Sequence, residues 1–205
     1  THLFGIPAQI NKFKKIIPDA IYIEDCCESH GALIDGEKIG TKTEASTFSS
    51  YFGHHMTTVE GGFVSTNDKT LYELMRAKRS HGLARECSPE VFEEYKIKYP
   101  DVDSRFLFVT DGFNVRNTEF GAVLGLSQLS RLDSIIERRR EVCDRFVSIL
   151  QKYPTEFHMP NFEGNSSFSL PFILKTQDLR IKLQNHLEKN GIETRPLCSG
   201  NLLRQ

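Results

Sequence analysis

The sequence predicts an α/β protein followed by a smaller α+β unit, and three observations carry that reading. Short apolar runs alternate with stretches of helical apolar spacing. Those runs end on polar residues and glycines, as strands do where ligands collect in open α/β sheets. Beyond Pro154 the pattern changes to brief strands and one helix.

Residues 6–17 place apolar side chains at roughly helical spacing, and residues 20–23 (Ala-Ile-Tyr-Ile) are short, apolar and partly β-branched. That pair predicts a helix feeding a buried strand. The strand would end on Glu24-Asp25, two carboxylates where a ligand would sit; the competing reading is a solvated acidic turn. Gly36-Glu37-Lys38 reads as a turn, and residues 45–51, small and hydroxyl-rich, as a strand broken by Gly53. Glu60-Gly61-Gly62 reads as a tight turn into a strand, after which Asn67-Asp68 caps a helix over 69–79. Residues 80–112, with Pro89, Pro100 and little periodicity, are expected to form a long excursion with at most one short helix near 90–95. Loops of that length are usually functional. Helical spacing returns from Thr118 to Leu132, and 135–150 reads as a charged amphipathic scaffold helix with a solvated face. The second unit is expected to begin near residue 152, with strands over 168–174 and a helix over 179–190 closed by Gly191.

With 39% hydrophobic residues and a net charge of −1 over 205 residues, the chain can bury a substantial core. Its charge is too balanced for an obvious nucleic-acid or anionic-membrane binder. No apolar run approaches the ~20 residues that span a bilayer, and no leader pattern opens the chain, so a cytoplasmic location is the default. Cysteines at 26, 27, 87, 143 and 198 are odd in number and lack CxxC spacing. They read as reduced thiols, with no metal site expected. The chain opens at Thr1 without a methionine and stops in a polar run, so it reads as an internal piece of a longer protein.

Four stretches carry the chemistry: Glu24-Asp25-Cys26-Cys27-Glu28-Ser29-His30-Gly31-Ala32, then Phe48-Ser49, then His54-His55-Met56-Thr57-Thr58-Val59-Glu60-Gly61-Gly62, then Asn114-Val115-Arg116. Any one alone is weak; four in this order and spacing are specific. Together they resemble, over nearly the whole chain, the sugar aminotransferase family named after DegT, DnrJ, EryC1 and StrS. The resemblance implies an aspartate aminotransferase fold (type I) dependent on pyridoxal 5'-phosphate. Residues 1–151 would belong to the large domain, with a mixed, mostly parallel sheet, and 152–205 would begin the small C-terminal domain.

It also implies roles. Asp25 would lie beneath the pyridine nitrogen, keeping the ring protonated so that it acts as an electron sink. Glu28 falls where most relatives carry a glutamine beside the ring hydroxyl. Ser49 matches a hydroxyl donor to the cofactor phosphate. Asn114 matches an asparagine that reaches that phosphate from the other subunit of a homodimer. Arg195 and Arg204 are candidates for holding a sugar diphosphate or a glutamate carboxylate, surface arginine being the commoner case. His30 and His81 are expected to pack or to close loops.

Counting back from Glu60-Gly61-Gly62, the family's cofactor-anchoring lysine falls on His54. An imidazole forms no stable imine, yet it is a competent base near neutral pH. A branch of the family with this substitution removes the C3 hydroxyl of nucleotide-linked 4-keto-6-deoxy sugars using pyridoxamine 5'-phosphate, regenerated by glutamate. His54 would be its base. Between His81 and Phe113 only Cys87 occurs, so no iron–sulfur cluster is expected. Two other readings stay open: a lysine-anchored sugar aminotransferase, and a non-catalytic relative that binds cofactor or sugar nucleotide. The phosphate turn and ring-stacking residue of a full site would lie upstream of Thr1, so this stretch alone is expected to be inactive.

Overall fold

A computed structural model of the chain describes residues 1–197 and Leu203. Helix α1 (Ile10–Ile16) precedes strand β1 (Ile23–Asp25), the hairpin β2 (Leu33–Ile34) and β3 (Glu37–Lys38), then β4 (Ala45–Ser49) and β5 (Gly62–Ser65). Helix α2 (Lys69–Lys78), α3 (Pro89–Lys98), α4 (Glu119–Leu129) and the long α5 (Leu132–Leu150) follow. The last part holds the antiparallel pair β6 (Phe157–His158) and β7 (Ile173–Leu174), and α6 (Gln177–Lys189).

The sheet β1-β4-β5 is mixed: β1 runs parallel to β4 in the register Ile23↔Ala45 to Asp25↔Thr47, and β4 pairs antiparallel with β5, Ser49 opposite Gly62. Parallel pairing puts the carboxyl ends of β1 and β4 at one edge, where Asp25 and Ser49 are the last strand residues. The strand expected over 20–23 begins only at Ile23, where β4 first lies alongside, and Ile21 and Ile23 are 80% and 64% exposed rather than buried. The excursion over 80–112 contains a full helix, α3, with Pro89 at its first turn. Of the strands expected over 168–174, only β7 forms, because its partner β6 is two residues long.

Successive strand residues face opposite sides, which divides the two carboxylates of β1. Glu24 is 2% exposed and looks inward. It accepts hydrogen bonds from His2 Nε2 (3.0 Å), Gly40 N–H (3.0 Å) and the Thr43 hydroxyl (2.8 Å). Although burial raises its pKa, these donors prevail and hold the Glu24 carboxyl below its ordinary value. His2 Nδ1 accepts from the Ala8 N–H at 2.9 Å, so it carries no proton, and Nε2 is the nitrogen that donates to Glu24. Beside this polar pair sits a small apolar cluster of Cys26, Ala32 and Ile39, flanked by Ile34 and Phe48.

Candidate active site

The site starts from the shared edge of β1 and β4. Asp25 is half-buried there, its Oδ1 accepting from the Cys27 N–H at 3.1 Å. Burial pushes its pKa up, but hydrogen bonding from Cys27 outweighs it and holds the carboxyl below its usual value. The group is therefore a carboxylate at neutral pH. Ser49 ends β4 with its Oγ accepting from Tyr51 N–H at 3.2 Å. From there the chain turns into the histidine loop, fastened by Thr58 N–H to Ser50 O (2.8 Å) and by the Ser50 and Thr58 hydroxyls at 2.6 Å. Gly62 re-enters the sheet so close to β4 that a Cβ there would lie 2.7 Å from the Phe48 carbonyl oxygen, which is why a side chain is excluded at this turn.

The loop delivers His54 and His55 to different surroundings. His55 is 2% exposed and donates from Nε2 to the Ser166 carbonyl at 2.9 Å. Burial pushes its imidazole down to about 4. His54 is half-buried, and its Nδ1 is buried without a hydrogen-bond partner. Its ring lies 5.2 Å from that of Phe168 and 5.9 Å from that of Tyr51. His30 packs 5.4 Å from Phe48 and 5.6 Å from His55, and neither of its ring nitrogens has a partner. Packing, not loop-closing hydrogen bonds, is its role in the fold. Burial, and after it the neighbouring His54, push His30 down to about 4. His81 does sit in a loop, at φ 62°, its N–H bonded to the Phe113 carbonyl at 2.7 Å.

Asp25 and Ser49 end the two parallel strands, and His54 lies on the loop that follows Ser49, its N–H bonded to the Tyr51 carbonyl at 3.0 Å. Glu28, close in sequence, accepts from the Phe4 N–H at 2.8 Å. Asn114 bridges to Ser80 on an exposed stretch and accepts from Arg116 at 3.2 Å. Three residues on, Asn117 Nδ2 donates to the Gly62 carbonyl (3.3 Å), so the segment carrying Asn114 runs past the strand opposite Ser49. Arg195 is exposed beyond α6, paired with Glu193 at 2.8 Å. Arg204 lies outside the described residues. Sequence reasoning missed Phe168, Arg139 and Arg140. The two arginines on α5 spend their guanidinium N–H groups on carbonyls of the 165–168 loop, although charge patterning gives that helix a solvated face.

The donor types suit a phosphorylated pyridine cofactor: an ionised carboxylate and a hydroxyl at the ends of two paired strands, and an imidazole with a free buried nitrogen on the loop that follows. Comparison with known proteins agrees. The model of the DegT/DnrJ/EryC1/StrS aminotransferase family matches residues 1–204. A GDP-4-keto-6-deoxy-D-mannose 3-dehydratase of Yersinia pseudotuberculosis is 36% identical over 99% of this chain and 53% of its own length. The solved structure of the Escherichia coli GDP-4-keto-6-deoxy-D-mannose-3-dehydratase with bound hydrated PLP superposes with a TM-score of 0.88 at 32% identity, covering 99% of this chain and 53% of that one. A further structure of this enzyme, with a trapped PLP-glutamate geminal diamine, gives a TM-score of 0.87 at 32% identity over 99% and 54% of the two chains. The fold is that of the PLP-dependent aminotransferases. The chain belongs to the DegT/DnrJ/EryC1/StrS aminotransferase family, and it spans about half the length of the relatives it matches.

Proposed function

We propose that the protein carrying this chain removes the C3 hydroxyl of a nucleotide-linked 4-keto-6-deoxyhexose, in deoxysugar or surface-polysaccharide biosynthesis, with His54 as the base. The feature that carries this reading is His54: an imidazole on the loop that follows Ser49, packed against Phe168, at the position that the family resemblance assigns to the anchoring lysine. Bound in its amine form, pyridoxamine 5'-phosphate would supply an electron sink adjacent to the sugar's C4. Asp25, kept anionic, would balance a positive charge on the pyridine nitrogen, and the Ser49 hydroxyl would donate to the phosphate. His54 would take up a proton at its ring nitrogen and return it to the departing C3 hydroxyl, acting first as base and then as acid. Glutamate is the amino donor in this reading, supported by the glutamate adduct in the related structure.

The same reading includes a homodimer with Asn114 reaching the phosphate of the partner subunit's site. Its support is that residues 111–120 are all exposed, as a segment awaiting a partner would be. Residues 1–151 are assigned to the cofactor domain and 152–205 to the small domain. Among the described residues no helix is long and apolar enough to cross a membrane, which fits the proposed cytoplasmic location. No iron–sulfur cluster takes part.

Incubation of the full-length protein with pyridoxal phosphate, borohydride reduction and mass spectrometry test the reading. No lysine adduct is expected, and His54→Asn should lower turnover by at least roughly 100-fold. A lysine adduct in the site would establish the aminotransferase alternative instead.

A further inference from the structure

The 165–168 loop is held far more tightly than a connection between two short strands, β6 and β7, requires. Four successive carbonyls all accept: Asn165 from Arg140 Nε at 2.6 Å, Ser166 from His55 Nε2 at 2.9 Å, and Ser167 and Phe168 from Arg139 Nη1 at 3.1 Å each. Two of its N–H groups donate to the opening turn of the chain, Ser166 to Gly5 O at 2.8 Å and Phe168 to Phe4 O at 3.1 Å. That turn is itself fixed by the Glu28 carboxylate on the Phe4 N–H. Ser167 adopts φ +50°, a strained conformation that persists only where the surroundings over-determine it. Bonds from guanidinium donors are stronger than neutral ones, so Arg139 and Arg140 supply that over-determination.

What the loop delivers is the Phe168 ring, with its centroid 5.2 Å from His54 and 6.0 Å from His55. Of the two histidines, only His55 is anchored through its ring, and its anchor is this same loop. The His54 ring makes no hydrogen bond from its buried Nδ1, so ring packing is what limits its rotation. We propose that Phe168 is a positioning residue that sets the plane of the His54 imidazole, and that Arg139 holds Phe168 in place. This rests on His54 being the base, and it gives the loop a part in the reaction through orientation alone. A reacting group displaced by about 1 Å costs up to roughly 100-fold in rate, so a loosened His54 should be visible in turnover.

The test uses the full-length protein with ¹⁵N-labelled histidine. In Phe168→Ala the His54 ring resonances should shift with loss of the ring current, and kcat should fall roughly 10- to 100-fold with KM little changed. Phe168→Tyr, which keeps the ring, should restore both, and Arg139→Ala should reproduce the Ala phenotype more weakly while the circular dichroism spectrum stays that of the parent. Unchanged His54 resonances and kcat in Phe168→Ala would overturn the proposal; if that variant does not fold, the same result in a folded Arg139→Ala would do so. His54→Asn, assayed in parallel, separates the two readings. If it retains turnover, the base assignment fails even where Phe168→Ala still moves the His54 signals. If it loses turnover while Phe168→Ala behaves as the parent, the positioning role alone falls.

Discussion

Burial keeps three imidazoles of this chain uncharged. His2, His30 and His55 are each at most 5% exposed, and burial, first among the causes, lowers the pKa of all three, His30 and His55 to about 4. In the unfolded chain these groups would titrate near 6.5 and bind protons that the folded state refuses. The stability tied to the neutral forms of His30 and His55 is therefore intact above pH ~6.5 and is lost as the pH falls from there to about 4. Each of His30 and His55 is linked to on the order of 3 kcal/mol across that window. Urea denaturation should show a midpoint that drops between pH 7 and pH 4, with a shallower drop in His30→Leu; equal slopes for parent and variant would contradict the assignment. Glu24 and Asp25 also have lowered pKa values and add acid sensitivity below that range. At this scale the sequence was readable at the strand ends, as at Asp25, the last residue of β1. It grouped Glu24 with Asp25 at the ligand end, whereas alternation along β1 sends Glu24 inward to His2 and leaves only Asp25 at the edge.

Helices and turns were legible where their ends carry capping chemistry. Asp68 accepts from Leu71 N–H at 2.7 Å and Thr118 from Gly121 N–H at 3.2 Å, both at starts visible in the sequence. Asp68→Ala should cost about 1 kcal/mol, read as a lower urea midpoint at unchanged slope. Gly5 is a different case. Its φ is +86°, and a Cβ there would lie 2.5 Å from the backbone nitrogens of Ser167 and Phe168. Gly5→Ala is expected to destabilise by more than ~1 kcal/mol and to disturb the loop that seats Phe168, with loss of amide-exchange protection at Ser166 and Phe168 as the measurement. No local pattern marks Gly5 in this way, because its constraint comes from a segment more than 160 residues away in the chain. Over 89–98 the mixed charge and weak amphipathicity let the sequence show only the short stretch near 90–95 of a longer helix with no buried residue.

For the molecule as a whole, α4 is the feature that asks for company. Phe120, Val123 and Leu126 are 86%, 68% and 70% exposed on a helix of mostly apolar composition. An apolar face of this kind is what a subunit interface leaves when one copy is viewed alone. Within the dimer reading, sedimentation velocity should give twice the monomer mass, and Phe120→Asp with Leu126→Asp should shift the full-length protein to monomer; a parent that sediments as a monomer would end that reading. By itself the sequence determined the α/β class, the family, and strands that end near Asp25 and Ser49. These depend on residue type and spacing, which local chemistry fixes. Only the tertiary structure decided that Glu24 is a buried partner of His2, that Glu28 fastens the Phe4–Gly5 turn, and that Arg139 and Arg140 hold Phe168 against His54. Each of those contacts joins residues more than 20 positions apart, and a hydrogen bond at that separation is set by how the chain packs rather than by any pattern within one segment.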